Sequence, residues 1–196
     1  SETVSLNRYS VGSDTWTSCN TWSLTSGGTA CVCPPREGDR AYIENGDVVE
    51  MDLDRNVKVL SVDVGLAAAA GTLNFTSTGI MEIIGTNSLW VGANGVLTNA
   101  LLNFTGSEIQ KIYGTGSVGI HDMTVNKSGG TFTIESPVVS VNGDVTATTA
   151  ILPSTSEVIL NGSAAQVING SVDVDFYDLT ITNSSGGVSF NRDINI

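Results

Sequence analysis

Two short stretches of the chain carry carboxylates at a spacing that places their side chains on one side of a β-strand. Asp173 and Asp175 lie in VDVDFYDLT, and Asp52 and Asp54 follow Glu50 in EMDLD. Residues two apart on a strand point to the same face, and grouped carboxylate oxygens are ligands that Ca²⁺ prefers. We treat the two aspartate pairs as candidate Ca²⁺ sites. The alternative is a structural role for Asp173 and Asp175, and a solvated acidic face for Asp52 and Asp54. No other cofactor is indicated.

Neither pair has the neighbours that catalysis on a polysaccharide requires. Elimination from a uronate needs a base beside the cation, and no Lys or Arg occurs within ten positions of Asp173 or Asp175. Glycoside hydrolysis needs two carboxylates, one of them a proton donor, and sequence spacing alone does not identify such a pair. The single histidine, His121, has no nearby partner in sequence and is interpreted as a surface residue. We therefore expect no catalytic residue, and a carbohydrate-active or carbohydrate-binding β-helix is the alternative.

Three cysteines, Cys19, Cys31 and Cys33, lie close together near the start of the chain. Early clustering in a β-rich, lysine-poor chain is typical of exported proteins that form local disulfides. All three are disulfide candidates, and the pairing is left open. One of the three thiols must stay unpaired or form a bond elsewhere. A metal site built on three thiolates is the alternative, but it lacks a fourth ligand because the only histidine is far along the chain.

A long stretch of the chain occurs twice. Residues 102–145 return in large part at residues 158–196, and a shift of 56 positions puts Gln110 on Gln166 and Asp122 on Asp178. Such self-similarity indicates a repeat architecture. A catalytic residue needs to occur only once, whereas a residue that hydrogen-bonds a turn recurs with the turn. Asp122 and Asp178 are therefore predicted to be structural residues at equivalent corners.

The composition excludes several classes of function. The formal net charge is −12 with only 8 Lys and Arg residues, whereas a nucleic-acid surface needs clustered basic residues. No apolar run approaches the roughly 20 residues of a transmembrane helix, so we expect neither a nucleic-acid partner nor insertion into a membrane. Gly, Ser, Thr, Asn and Val dominate, which favours an all-β chain.

Short alternating runs separated by Gly and Asn predict a parallel β-helix, in which three strands form one coil. With on the order of 20 residues per coil, residues 38–196 would supply roughly eight coils. A turn at Asn45–Gly46 separates two of the runs. An antiparallel β-sandwich is the alternative, because it also uses short alternating strands.

Residues 1–37 differ from the rest and are predicted to form an irregular N-terminal cap that carries the cysteine cluster. Trp16 and Trp22 flank Cys19 in this segment. The end of a solenoid exposes apolar side chains and unpaired strand edges, which must be covered. We expect the two tryptophans to cover that end rather than to stack on sugars.

Three segments of the chain resemble a known class of proteins. They are TWSLTSGGTACVCPP followed by GDRAYIENGDVVEMD, then VILNGSAAQVINGS, and then FYDLTITNSSGGVSFNRDINI. Together they resemble the β-helical N-terminal regions of large surface proteins exported by Bacteroidetes-type bacteria, including type IX secretion substrates and gliding-motility adhesins. The first segment is similar to the entry module that follows removal of a signal peptide, and the other two are similar to the recurring coil signature.

The resemblance implies that the parallel β-helix is right-handed. It also implies an extracellular or cell-surface protein that is a non-enzymatic structural or adhesive module. It implies as partners the remainder of a longer chain, the secretion or surface-anchoring machinery, and surface glycans. The sequence begins at Ser1 and stops at Ile196 in a strand-like run, so we expect a processed piece of a longer protein.

Overall fold

A computed structural model describes residues 5–31, 33–53, 57–59, 61–65, 70–152 and 154–196 of the chain. Every regular element in the described ranges is a β-strand. Alternating side chains explain this choice, because strands place successive residues on opposite faces and bury every second one. No helix in this part of the chain is long and apolar enough to cross a membrane.

The strands are short and follow one another closely. The first half of the chain contains β1 (Asn7–Ser10), β2 (Asp14–Thr15), β3 (Trp22–Ser23), β4 (Arg40–Ile43), β5 (Asp47–Met51), β6 (Val57–Val59), β7 (Ser61–Val64), β8 (Gly71–Phe75), β9 (Met81–Ile83), β10 (Leu89–Val91) and β11 (Gly95–Phe104). The second half contains β12 (Gln110–Gly114), β13 (Ser117–Val125), β14 (Phe132–Ile134), β15 (Val138–Val141), β16 (Val145–Ala147), β17 (Ile151–Leu152), β18 (Glu157–Leu160), β19 (Gln166–Gly170), β20 (Val174–Asp175), β21 (Asp178–Ile181), β22 (Val188–Phe190) and β23 (Ile194–Asn195).

The strands stack in parallel to form a β-helix with three faces. The first face contains β1, β4, β7, β10, β12, β14 and β17, and the second contains β2, β5, β8, β15, β18 and β21. The third contains β6, β9, β16, β19 and β22, while β11 and β13 are long enough to run from the second face into the third. Among the described strands only β1 and β3 pair in antiparallel fashion, so the parallel β-helix is confirmed and the sandwich is excluded.

The coils differ in length. Arg40 pairs with Ser61, 21 positions later, whereas Val62 pairs with Leu89, 27 positions later. Phe132 pairs with Ile151 after only 19 positions. Because of this variation the described residues form about seven coils rather than the predicted eight.

The core is a set of apolar ladders inside the three faces. On the second face Leu73, Leu97, Val118, Val139 and Val158 lie in register in successive coils, and all are buried. Burying a side chain of this kind contributes on the order of 1.5–3 kcal/mol. The alternation along each short strand therefore fixes which residues enter the core, and stacking makes that core continuous.

The corner between the first and second faces requires glycine because neighbouring coils approach closely there. A Cβ atom on Gly95 would lie 2.3 Å from the backbone oxygen of Val64. Gly65 has a φ of 74°, in the left-handed region that glycine adopts without steric cost. These residues let the chain turn from one face to the next without separating the coils.

The N-terminal residues lie over the first coil. β1 extends the first face by pairing with β4, and β2 extends the second face by pairing with β5. Trp16 and Trp22 are fully buried and make a T-shaped contact with ring centroids 4.9 Å apart. Their burial makes them unavailable for stacking on sugars.

A buried ion pair joins this N-terminal region to the first coil. Arg8 and Asp39 are both buried, and the Arg8 Nε donates to the Asp39 carboxylate at 3.0 Å. The same carboxylate accepts from the backbone N–H groups of Leu6 and Arg36. The contacts therefore fix the N-terminal strand against the start of the solenoid.

Equivalent positions of the two sequence copies lie on different faces. Gln110 begins β12 on the first face, and Gln166 begins β19 on the third. Both glutamines are buried, and each donates from Nε2 to backbone oxygens one coil earlier, at Ile83 and Val141 respectively. The copies thus share a local hydrogen-bonded corner, but 56 positions are not a whole number of coils.

Candidate functional site

A large groove lies at the corner between the second and third faces. It has a volume of about 880 Å³, within the size range of ligand-binding clefts. We name it the corner groove, and its lining residues are Asp52, Phe75, Thr76, Ser77, Thr78, Asn99, Leu101, His121, Asn142, Asn161, Ser163 and Ala164. Most of these side chains are amides, hydroxyls or small groups.

The floor of the corner groove exists because the middle coils turn this corner tightly. β11 and β13 continue across it, and their pairing shifts register between Leu97 and Leu101. Asn99 turns the chain with a φ of 52°, a left-handed conformation that asparagine tolerates better than most residues. At this corner the coils containing Asn99 and His121 have no connecting loop, because β11 and β13 are continuous there, so the surface is low.

The walls are longer connections in the coils before and after. Residues 76–80 join β8 to β9, and residues 161–165 join β18 to β19. These two connections lie four coil steps apart, which is about 19 Å at the usual strand spacing. The corner groove is therefore bounded at both ends along the solenoid axis, and it suits a ligand segment of limited length.

Hydrogen bonds order the side chains on the floor. The Nδ1 of His121 lies 2.6 Å from the Oδ1 of Asn142, and the Nδ2 of Asn142 donates to the Oδ1 of Asn99 at 3.4 Å. Because the amide oxygen of Asn142 accepts this hydrogen bond, the Nδ1 of His121 donates it. The other ring nitrogen, Nε2, takes no part in this bond. The three residues come from three successive coils and form one polar strip.

The groove carries little charge. Asp52 is the only carboxylate among the described residues that line it, and it is exposed. Amides and hydroxyls both donate and accept hydrogen bonds. The corner groove can therefore bind a neutral ligand rich in hydrogen-bonding groups.

The candidate Ca²⁺ residues are placed as follows. Asp52 lies at the edge of the corner groove, whereas Asp54 is outside the described residues. Asp173 is exposed, and the carboxylate of Asp175 accepts a hydrogen bond from the Asn195 amide at 2.6 Å. No three His, Cys, Asp or Glu side chains converge on one point within the described ranges.

Asp122 and Asp178 do not occupy the equivalent corners that the repeat predicted. Asp122 lies where β13 passes onto the third face, and it accepts a hydrogen bond from the backbone N–H of Asp144 at 2.7 Å. Asp144 in turn accepts from the backbone of Val167 at 2.8 Å. Asp178 is exposed and begins β21 on the second face. The coil-to-coil counterpart of Asp122 is thus Asp144.

The cysteines divide into one pair and one single residue. Cys31 and Cys33 form a disulfide. Cys19 is exposed and has no disulfide partner in the described part of the chain.

Sequence reasoning did not identify Asn99, Asn142 or Asn161 as groove residues. A search for asparagines one coil apart would have found only part of the strip, since Asn99 and Asn142 lie two coils apart with His121 between them. The varying coil lengths also hide the alignment, because neighbouring coils take 19 to 27 residues. The strand register, which depends on all the turns together, is what brings these side chains into one strip.

No protein family, curated protein or solved structure that was compared with this chain matches it. The resemblance to bacterial surface proteins therefore stays a prediction. The chemistry of the chain has to be inferred from its own residues.

Proposed function

We propose that this chain is a non-enzymatic structural and adhesive module of a large secreted or cell-surface protein. The observation that carries the proposal is the corner groove, a bounded polar cleft on a stiff stack of coils. On this proposal the solenoid acts as a spacer and the groove as its contact surface. The rest of a longer chain and the secretion or anchoring machinery would hold it outside the cell.

The lining of the groove suits adhesion. Each amide or hydroxyl contact contributes on the order of 0.5–1.5 kcal/mol net, so a single groove binds weakly. Many copies of a module on one surface convert weak contacts into strong attachment, because later contacts form at high effective concentration. Neutral, hydrogen-bonding polymers are suitable ligands for such a surface.

The spacing of the groove's ionisable groups supports a binding role over a hydrolytic one. Hydrolysis of a glycosidic bond uses two carboxylates about 5–10 Å apart, and Asp52 is the only carboxylate among the described lining residues. Asp52 and His121 lie three coils apart, which corresponds to about 14 Å. The two groups therefore do not form an acid–base pair.

The proposal is tested with beads that carry the chain coupled through the exposed thiol of Cys19. Retention under flow is measured on glass and on immobilised neutral polysaccharides, and soluble forms of the same polymers are assayed for released reducing ends. We expect retention on at least one surface without release of product. The double variant Asn99→Ala/Asn142→Ala should reduce retention, whereas Asn169→Ala, at an exposed position outside the groove, should not.

Three results would contradict the proposal. Beads that detach from every surface would remove the adhesive role, and release of reducing ends would favour the enzyme. Full retention by the double variant would show that the corner groove is not the contact surface.

A further inference from the structure

The outer side of the first face carries a row of aromatic side chains in successive coils. Strand pairing aligns Tyr9 with Tyr42, Tyr42 with Asp63, Asp63 with Trp90, and Trp90 with Tyr113. We name these five residues the aromatic row. Adjacent members are one coil apart, about 4.8 Å, so the row extends along the solenoid axis for about 19 Å. It lies on a different face from the corner groove.

The rings of the aromatic row are half-buried and well packed. Tyr9 and Tyr42 stack with their centroids 4.8 Å apart and their planes within 15° of each other. The indole of Trp90 lies over Gly92, because a Cβ atom there would come within 2.4 Å of Trp90 Cη2. Glycine at this position leaves room for the indole, which stays partly exposed.

The aromatic row contains more than half of the Trp and Tyr residues of the chain. The chain has 3 Trp and 4 Tyr residues, and one Trp and three Tyr are in the row. Trp16 and Trp22 are buried, and Tyr177 lies near the other end of the solenoid. Aromatic residues are costly to leave in contact with water, so their alignment on an outer face marks a contact surface.

Charged groups of both signs flank the rings. Asp63 occupies the row position between Tyr42 and Trp90, in a strand pairing that places Arg40 on the same outer side. The Nζ of Lys111 lies 4.5 Å from the centroid of the Tyr113 ring and 3.0 Å from the Glu135 carboxylate. The basic groups disfavour a cationic ligand, and the acidic groups and the net charge of −12 disfavour an anionic one.

We propose that the aromatic row is a binding site for neutral polysaccharide. This inference deepens the proposed adhesive function by naming a ligand class, and it rests on that function. The apolar C–H side of a pyranose packs on an aromatic ring, while its hydroxyls hydrogen-bond to neighbouring charged groups. Trp90 supplies the stacking surface, and Asp63 and Arg40 supply an acceptor and a donor beside it.

The fluorescence of Trp90 gives a direct readout. Trp16 and Trp22 are 1% and 0% exposed, so acrylamide in solution quenches mainly Trp90. The full chain is titrated with dextran, galactomannan, xyloglucan and mixed-linkage β-glucan, and with alginate and pectate as acidic polymers. We expect at least one neutral polymer to protect Trp90 from quenching, and the acidic polymers to leave it accessible.

Variants locate the site. Tyr42→Ala should weaken binding on the order of tenfold, as expected for loss of one stacking ring. Tyr177→Ala and Asn169→Ala, which lie outside both the aromatic row and the corner groove, should bind as the parent does. Trp90→Phe should remove the quenchable component, which identifies its source even if Trp90→Ala does not fold.

The outcomes separate this inference from the proposed function. If no neutral polymer protects Trp90, or if Tyr42→Ala binds undiminished, the aromatic row is not a sugar site. Beads that still adhere in that case leave the adhesive function standing. If polymers protect Trp90 but beads detach from every surface, the adhesive function fails and the sugar site stands.

Discussion

The carboxyl group of Asp63 illustrates how stacking changes the chemistry of a single residue. Burial raises the pKa of Asp63 to about 6 from the ordinary value of 3.8, and the guanidinium of Arg40 offsets only part of this rise. The pKa values of Tyr42 and Tyr113 are also raised, first by their own burial and then by the charge of Asp63. A carboxylate in the aromatic row is therefore desolvated by the coils on either side of it.

Asp63 should make stability depend on pH. Its pKa is higher in the folded chain than in the unfolded chain, so its contribution is fully present below about pH 4 and is lost as the pH rises through about 6. At pH 8 Asp63→Asn should be more stable than the parent, by up to ~3 kcal/mol at 1.36 kcal/mol per unit. At pH 4 the difference should be small. Thermal unfolding of both proteins across this range measures it.

Asp173→Asn, at an exposed position, serves as the matched control and should not show this pH-dependent gain. An Asp63→Asn variant with the same difference from the parent at pH 4 and pH 8 would contradict the assigned environment. No part of this behaviour was predictable from the sequence, because it depends on the register that places Tyr42 and Trp90 beside Asp63.

At the scale of the elements, the short alternating runs predicted the strands well. The runs around Asn45–Gly46 became β4 and β5, and both turn residues have positive φ, 61° and 81°. The turn does not form a hairpin, however, since β4 pairs with β7 and β5 pairs with β8. The Asn45–Gly46 turn therefore joins two faces of the solenoid rather than the two strands of a hairpin. Each of the two strands pairs with a strand of the next coil.

The glycine corner is the element on which the stacking depends most directly. Gly95→Ala should destabilise the chain by roughly 1–3 kcal/mol, the usual cost of overpacking, because its Cβ would lie 2.3 Å from the Val64 oxygen. Gly129→Ala should have little effect, since its nearest neighbour would lie 3.6 Å away. Denaturant unfolding compares the two variants. Equal stability of both would contradict the close approach of the coils at this corner.

The N-terminal region shows how the whole molecule depends on covering its end. Deleting residues 1–35 would expose apolar side chains that Trp16 and Trp22 now cover, and it would remove β1 and β2 from two faces. We expect the truncated chain to aggregate or to melt at a lower temperature. Light scattering and thermal unfolding test this, and a truncated chain that stays monomeric and equally stable would contradict the covering role.

For the whole molecule, the sequence was sufficient to predict the parallel β-helix but not the corner groove or the aromatic row. Alternation, turn residues and self-similarity are local, and they were sufficient to predict a parallel β-helix. The corner groove and the aromatic row depend on which residues meet across coils of 19 to 27 positions. A shift of one residue within the strand that carries Trp90 would turn its side chain to the other side of the sheet, so the aromatic row depends on the register.

On the proposed function the chain binds a neutral polymer without cleaving it. Size-exclusion chromatography with light scattering, run on the chain mixed with each neutral polysaccharide before and after long incubation, tests both parts at once. We expect the protein to elute with at least one polymer and the mass of that polymer to stay unchanged. Protein that elutes alone from every mixture, or a polymer whose mass falls with time, would contradict it.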